Sequence, residues 1–333
     1  MPGEFSAGAR FEIRITPADV GKRVSVRQVI GITDGHPTFT DTVGVLASWD
    51  AGVVSVTRRS GETVRIEEAS LVSGKVVPPA RPRAGLRVPA VSDEELEEIA
   101  SRAWPATETD RLGAWTLRAS GGFTRRANSA LVAGDPGLPL PDALPRVVRW
   151  YGERGLAPCL QVPDSSRYAA QVAALGWERE GDTVVRTAPL APLLQQTAVG
   201  AQEVSLSRTP GAAWLAAYHR TGELADAALT VVSGGPSVWF ATAPGAIGRA
   251  VVDGQWALFG AVEVEPGARR RGLATAVVGA LARQAYEEGA TAAYLQVETG
   301  NSAARALWDR LGFIDHHRYH YLRPTTAGPT WHP

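Results

Sequence analysis

The chain has little of several things, and each scarcity removes a class of explanation. It holds one cysteine, Cys159, in 333 residues. No internal disulfide can form, and a reducing, cytoplasmic setting is expected. Cys159 sits in the apolar run Pro158-Cys159-Leu160, where a buried small hydrophobe is expected rather than a nucleophile. Lysine is scarce: beyond Lys22 and Lys75 the basic residues are arginines. Net charge is zero, with 34 basic against 34 acidic residues. A neutral chain is not expected to hold nucleic acid or membrane through bulk charge. No apolar run reaches the length of a membrane-spanning helix, roughly 18 residues. Met1 to Arg10 lacks the apolar segment of a signal peptide. What is present, 44% hydrophobic and 20% charged residues, suits two or three soluble globular domains.

Residues 11–77 read as all-β. Phe11 to Ile15, Arg23 to Arg27 and Thr63 to Ile66 alternate, with Gly44-Val45-Leu46 and Val53 to Val56 between them. Turn signals fall at Asp34-Gly35, Asp50-Ala51-Gly52 and Ser60-Gly61. Short, closely spaced strands predict a small barrel, loosely similar to SH3-like barrels. Trp49 and Arg58-Arg59 could bind a partner, or the barrel could be purely structural. A stretch with Pro78, Pro79, Pro82 and Pro89 follows as an extended linker. Ser92, with Glu95 three residues on, forms a capping box for a helix whose apolar face is Leu96, Ile99, Ala100 and Ala103.

Residues 92–190 then run through strands at Trp115 to Ala119 and Ala127 to Ala133 and a helix at Pro141 to Arg154. A strand at Ala157 to Val162, a helix at Ser165 to Leu175 and a strand at Thr183 to Thr187 follow. The last third repeats that order. A strand ends at Glu265, a helix covers Leu273 to Glu288, a strand Ala292 to Val297 and a helix Ser302 to Leu311. Both units close on Leu-Gly-aromatic, Leu175-Gly176-Trp177 and Leu311-Gly312-Phe313, where glycine suits a left-handed helix end. Aligning the glycines sets Asn301 against Ser165 and Arg305 against Ala169, so a duplicated βαβα unit is inferred.

The two copies differ at one turn. In the second, Val262-Glu263-Val264-Glu265-Pro266 runs into Gly267-Ala268-Arg269-Arg270-Arg271-Gly272-Leu273-Ala274. A strand feeding a helix through a basic, glycine-bearing turn makes an anion site, because the first amides of the helix lack partners and its dipole favours negative charge. Gly272 and Ala274 leave room for a pyrophosphate. The first copy has Gly134-Asp135-Pro136-Gly137-Leu138-Pro139, with an acid, no arginine and prolines removing donors, and is expected not to bind.

The conjunction is more specific than the turn alone. After the amphipathic helix come Leu295-Gln296-Val297-Glu298, Asn301, Ala304, Leu307-Trp308 and Leu311-Gly312-Phe313. The set resembles the GCN5-related N-acetyltransferase (GNAT) superfamily over about residues 200–325, most specifically from about 258 to 313. The fold expected is α/β (α+β), a GNAT-type mixed sheet flanked by helices and duplicated, behind an SH3-like barrel. Expected bounds are 1–78 for the barrel, 79–91 for the linker, 92–195 for a degenerate GNAT-like domain and 200–325 for the GNAT domain. Val204 to Leu206, a helix from Ala212 to Arg220, and a hairpin of Ile247 to Val252 with Gln255 to Val264 fit the family's earlier elements.

The resemblance implies an N-acetyltransferase that uses acetyl-CoA as cosubstrate and no metal, with a primary amine attacking the thioester directly in a ternary complex. The acceptor could be a small molecule or a peptide, with no nucleic acid or membrane partner. Arg269, Arg270, Arg271, Gly272, Leu273, Ala274 and Thr275 would wrap the pyrophosphate. Val262 and Val264 would pair with the pantetheine arm, one amide polarising the thioester carbonyl, and Ala304 and Trp308 would line the same arm; Asn301 would hydrogen-bond the arm, hold the bulge or merely cap the helix. Seven residues after that asparagine the family often has a tyrosine as general acid; this chain has Trp308, whose indole N–H cannot protonate a thiolate. Three readings stay open: protonation by water, protonation by Tyr319 or Tyr321, or a weakly catalytic or non-catalytic acyl-CoA-binding regulatory protein. Glu263 and Glu298 are candidate general bases through water, with partial burial expected to favour proton uptake, or else are solvated or ion-paired carboxylates. His316 and His320 share one strand face and His317 the other; they read as cross-strand packing or acceptor-pocket lining. Without cysteine or a nearby acid cluster they do not read as a zinc site. His219 could also face the acceptor cleft.

Overall fold

The computed structural model describes residues 13–33, 36–58, 62–77, 87–197, 204–219 and 225–325. The chain divides into two compact units, one built on Met1–Arg81 and one on Pro82–Tyr286 with Ala290–Pro333.

In the first unit β1 (Arg23–Thr33), β2 (His36–Asp50), β3 (Val53–Arg58), β4 (Thr63–Glu67) and β5 (Leu71–Val76) form one antiparallel sheet in the order β4-β3-β2-β1-β5. The alternating residues Val24, Val26, Val54, Val56 and Ile66 turn inward onto Leu46 and Leu71. Ala51 and Gly52 both take positive φ, 48° and 77°, which matches a tight hairpin to the twist of its strands. β1 and β2 run well past the alternating segments, because their pairing continues from Arg23↔Val45 to Thr33↔His36. Phe11 and the signals at Asp34-Gly35 and Ser60-Gly61 lie outside the described residues, as does Arg59. Trp49, partly buried, packs on the barrel core, and Arg58 pairs with Glu62 at 2.9 Å on the surface.

The second unit begins with α1 (Asp93–Ala103), whose Ser92 hydroxyl accepts from the Glu95 amide at 3.2 Å. Next come β6 (Glu108–Leu112), β7 (Trp115–Ala119), β8 (Ala130–Leu131), α2 (Leu140–Gly152), β9 (Leu160–Pro163), α3 (Tyr168–Ala174), β10 (Trp177–Pro189) and α4 (Leu190–Gln196). The later half has β11 (Ser205–Ser207), α5 (Ala212–Ala217), α6 (Ala225–Ser233), β12 (Val238–Ala243), β13 (Ala246–Asp253) and β14 (Trp256–Val264). It ends with α7 (Leu273–Glu287), β15 (Ala292–Glu298), α8 (Ser302–Arg310) and β16 (Ile314–Pro324). All these strands join one 11-stranded sheet, ordered β11-β12-β13-β14-β15-β10-β16-β9-β8-β7-β6.

That order holds an exchange. Each half has one parallel pair, β8 with β9 and β14 with β15. Each half's final strand then crosses to the other: β10 pairs with β15, β16 pairs with β9, and β10 and β16 pair with each other. The exchange leaves no free sheet edge between the halves. Arg186 of β10 reinforces it, donating to Asp309 at 2.6 Å and to the Phe313 carbonyl at 2.8 Å. Arg249 of β13, fully buried, donates to the Ala103 carbonyl of α1 and to Val232 and Gly234 at the end of α6. A cation held at two helix C-termini is favoured by both dipoles. Cys159 is buried, and burial pushes its thiol up to about 11.

Two expectations need correction. The strand expected over Ala127 to Ala133 is a 3-10 turn, Arg126–Asn128, followed by the two-residue β8. The Asn128 carboxamide accepts from the amides of Ser120 and Gly122 and donates to the carbonyls of Phe123 and Thr124, all at 2.7–3.0 Å. Those bonds replace a strand ladder. The strand expected over Thr183 to Thr187 extends from Trp177 to Pro189, because two partners rather than one hold it.

Candidate functional site

The site forms where β14 and β15 part. They pair in parallel from Trp256↔Ala292 to Leu258↔Tyr294, and the ladder stops there. On its other edge β14 bulges: Gly260 opposes Arg249 and Glu263 opposes Ile247, with Ala261 forced to a φ of 49°. A bulge bends and twists the strand that carries it. Gly260 to Val264 therefore veer from Leu295 to Glu298, and the gap between them opens on both faces of the sheet.

A cavity of about 490 Å³ lies on one side, lined by Val262, Glu263, Val264, Arg269, Ala274, Asn301, Ala304, Leu307 and Trp308, with His219 at its margin. It reaches the basic turn. There Arg270 and Gly272 take positive φ, 64° and 78°, between extended and helical neighbours. Such alternation turns successive amides toward one point. The first helical hydrogen bond of α7 runs from Ala276 to Gly272, so the amides before Ala276 have no intrahelical partner. Arg269, Arg270 and Arg271 are exposed. Leu273 and Thr275 open α7 and are partly buried.

A second cavity of about 330 Å³ shares Val262, Glu263, Asn301, Ala304 and Trp308 with the first and extends to the opposite face. Its far wall comes from the other half: Trp104, Thr124, Arg125 and Arg126, with Thr183 of β10 and Tyr319 and Tyr321 of β16. The strand exchange brings these residues here, since Thr183 pairs with Glu298 on one side and Tyr319 on the other. The Trp104 indole donates to the Thr124 hydroxyl at 3.1 Å, and Asn128 fixes the rest of that loop.

The residues expected from sequence divide between these spaces. Glu263 is partly buried and lines both. Glu298 lines only the second; it is exposed and paired with Arg125 at 3.2 Å, so the expected partial burial does not hold. Asn301 accepts from the Ala304 amide at 3.0 Å and caps α8. Trp308 is buried, edge-on to Phe313 at 5.0 Å. Tyr319 is fully buried and its hydroxyl oxygen accepts from Arg126 Nη2 and Nε at 3.3 and 3.4 Å. Burial, then Tyr319, push the Tyr321 phenol well above its ordinary value. Burial opposes the charge of Arg126, but Tyr319 and Tyr321 outweigh it and raise the guanidinium.

The histidines are arranged differently from a simple strand. A bulge in β16 opposite Val185 and Arg186 brings His316 and His317 together, their Nδ1 atoms 2.8 Å apart. Acids that the sequence did not place nearby come from α1: Asp93 lies within 3.7 Å of both rings and Glu97 is 3.0 Å from His317 Nε2. Burial, then His317, lower the His316 imidazole. His320 pairs instead with Asp164 at 2.6 Å. None of these three lines either cavity described.

Sequence reasoning did not find Thr124, Arg125, Arg126, Tyr218 or Gln296. Arg125-Arg126 is an adjacent basic pair, but nothing in its local pattern says which cavity it faces.

Comparison with known proteins agrees with this architecture. Residues 93–322 match a family described as "Probable histone acetyltransferase Rv0428c C-terminal", and residues 18–75 match "Rv0428c N-terminal Sm-like domain". A curated relative, "Probable histone acetyltransferase Rv0428c" of Mycobacterium tuberculosis, is 30% identical over 93% of this chain and 97% of its own length. "Uncharacterized N-acetyltransferase YobR" of Bacillus subtilis is 24% identical over 68% of this chain and 96% of its own. A solved GCN5-related N-acetyltransferase from Kribbella flavida superposes with a TM-score of 0.53 at 16% identity, covering 74% of this chain and 98% of that one. Its fold is shared. The chain therefore belongs to the Rv0428c family, pairing an N-terminal Sm-like domain with a C-terminal acetyltransferase domain, here of GNAT-like fold.

Proposed function

We propose that the second unit is an N-acyltransferase that moves an acetyl group from acetyl-CoA to a primary amine by direct attack. One observation carries this reading: two cavities, one at a basic helix start and one walled by the other half, meet at the parted strands around Val262 and Glu263. A donor and an acceptor entering from opposite faces would meet there.

Arg269 to Thr275 would hold the pyrophosphate through amides and arginines. Val262 and Val264, on the parted segment of β14, would offer backbone groups to the pantetheine arm. A β14 amide would carry the charge developing on the thioester oxygen. Glu263 is the proposed base, because it lines both cavities. It would accept the amine proton through water. The amine nitrogen bonds to the acyl carbon, the carbon–sulfur bond breaks, and the coenzyme A thiolate leaves. Trp308 cannot protonate that thiolate. Tyr319 is proposed to do so; Arg126 donates into its oxygen, which leaves the phenol proton to give. Glu298 would shape the entry with Arg125. Tyr319→Phe should lower kcat by about 100-fold if the assignment holds.

A second reading, acyl-CoA binding without turnover, draws on the burial of Trp308 at the family's acid position. Thiol release from acetyl-CoA across a panel of amines decides: turnover with any amine excludes binding alone, and no release from a protein that binds coenzyme A excludes the transferase.

A further inference from the structure

Arg126 is the charged group in the acceptor cavity that lacks a counter-ion. Its neighbour Arg125 is fully engaged. It pairs with Glu298 at 3.2 Å and Glu180 at 3.6 Å, stacks over Tyr321 at 4.9 Å, and lies against Gly181, where a Cβ would meet its Nη1 at 2.4 Å. Arg126 has no carboxylate within ion-pair distance among the described residues; its hydrogen bonds are the long pair to Tyr319. Nη1 has no hydrogen-bond partner among the described residues. A guanidinium on a cavity wall with a spare donor and no carboxylate beside it can take an anion in a charge-assisted hydrogen bond.

A second side chain faces the same way. Gln296 lines this cavity, and its Nε2 is buried with no hydrogen-bond partner among the described residues. It stands on the sheet face of Glu298, two residues along β15, opposite Val185. Donors on two elements, one from each half, line one cavity. The loop that precedes Arg126 is held by four hydrogen bonds to the Asn128 carboxamide, and the guanidinium itself is held by its pair to Tyr319. Aromatic walls of Trp104, Tyr218 and Tyr321 leave room for a small organic body.

We infer that Arg126, assisted by the Gln296 amide, receives a carboxylate on the acceptor, so that the acceptor is a small amine carrying an acid group rather than a basic polypeptide tail. This rests on the acyltransferase reading. The donor–acceptor layout then has a simple polarity: amine toward Glu263 at the strand gap, carboxylate toward Arg126 on the far wall. A lysine-rich tail would bring cations against two arginines with nothing to satisfy Arg126.

The test uses the full chain, acetyl-CoA and matched acceptor pairs: β-alanine with n-propylamine, L-leucine with isoamylamine, and L-lysine with cadaverine, alongside a lysine-rich peptide. The acid-bearing member should be preferred by at least about tenfold in kcat/KM in one or more pairs, mostly through KM. Arg126→Gln should bring that ratio to near one, and Arg126→Lys should keep part of it. Because a ratio is read within one variant, any general loss through Tyr319 cancels. Calorimetry of β-alanine, L-leucine and L-lysine into the coenzyme A complex gives a second readout, with weaker binding expected in Arg126→Gln. Equal or better turnover of the neutral amines or of the peptide would overturn the inference. So would a preference that survives Arg126→Gln, or no binding of any of the three acids. Failure of the protein to bind coenzyme A would instead remove the acyltransferase reading beneath it.

Discussion

The two βαβ turns of the second unit share a scaffold and differ in what fills it. At 269–275 the turn offers arginines, left-handed Arg270 and Gly272, and unpartnered helix amides. At 134–139 the same place is occupied by the chain itself. The Asp135 carboxylate accepts from the Gly137 amide at 2.7 Å and pairs with Arg167 at 2.7 Å. The Gly137 amide above all holds Asp135 below the ordinary carboxylate range; burial opposes it, and the Tyr168 and Arg167 side chains add to the lowering. Pro139 precedes α2 in place of a donor. An internal acid thus stands where the other turn would take a phosphate. The strand gaps differ likewise: Val132 beside β8 still donates to Gln161 at 2.9 Å, whereas β14 and β15 part after Leu258. The lesson is that the first half survives as a wall. In the proposed function it lends β10, Arg126 and Trp104 to the cavity beside the second half's strand gap.

Several variants would break or sharpen that contrast. The largest kinetic effects are expected at the strand gap: Glu263→Gln, like Tyr319→Phe, should lower kcat by about 100-fold, while Glu298→Gln, exposed and paired with Arg125, should cost less than about threefold. Similar losses for both would erase the distinction drawn between them. Next is the joint between halves. Arg249→Met should destabilise the unit by on the order of 3 kcal/mol in denaturant unfolding, because three carbonyls lose their cation. Asp135→Ala, at an exposed ion pair, should change stability little and leave the coenzyme A stoichiometry unchanged; a second equivalent bound would mean that Asp135 alone closes the first turn. The smallest effect concerns His316, whose folded-state proton affinity is lowered chiefly by burial. Protonation then favours the unfolded chain. The stability it protects is complete above the unfolded value of 6.5 and is lost as pH falls below it. Tm should drop on acidification below pH 6.5, less so in His316→Asn; identical profiles would contradict the assignment.

Local patterns made much of this legible. The Ser92 capping box, the strand Trp115 to Ala119, the hairpin through Asp253-Gly254 and the stripe of α7 are short-range signals, and the structure has each. The βαβ geometry of β14, α7 and β15 followed from connection length. What stayed hidden is non-local. Exchange of β10 and β16 depends on pairing choices far apart in sequence, and it alone brings Tyr319 and the loop of Arg126 to the acceptor side. The loop itself is shaped by one carboxamide, Asn128, whose bonds to residues up to eight positions away are not written in the segment Ala127 to Ala133 that reads as strand. Trp308 was legible as a departure from the family, but its burial against Phe313 was not.

The central claim is that one turn of the two binds coenzyme A. Calorimetric titration of acetyl-CoA into the full chain and into Gly272→Glu tests it most directly, since φ of 78° at this position penalises any side chain and a carboxylate would meet the phosphates. One equivalent should bind to the native chain and none detectably to the variant. Two equivalents, or affinity unchanged by Gly272→Glu, would contradict it.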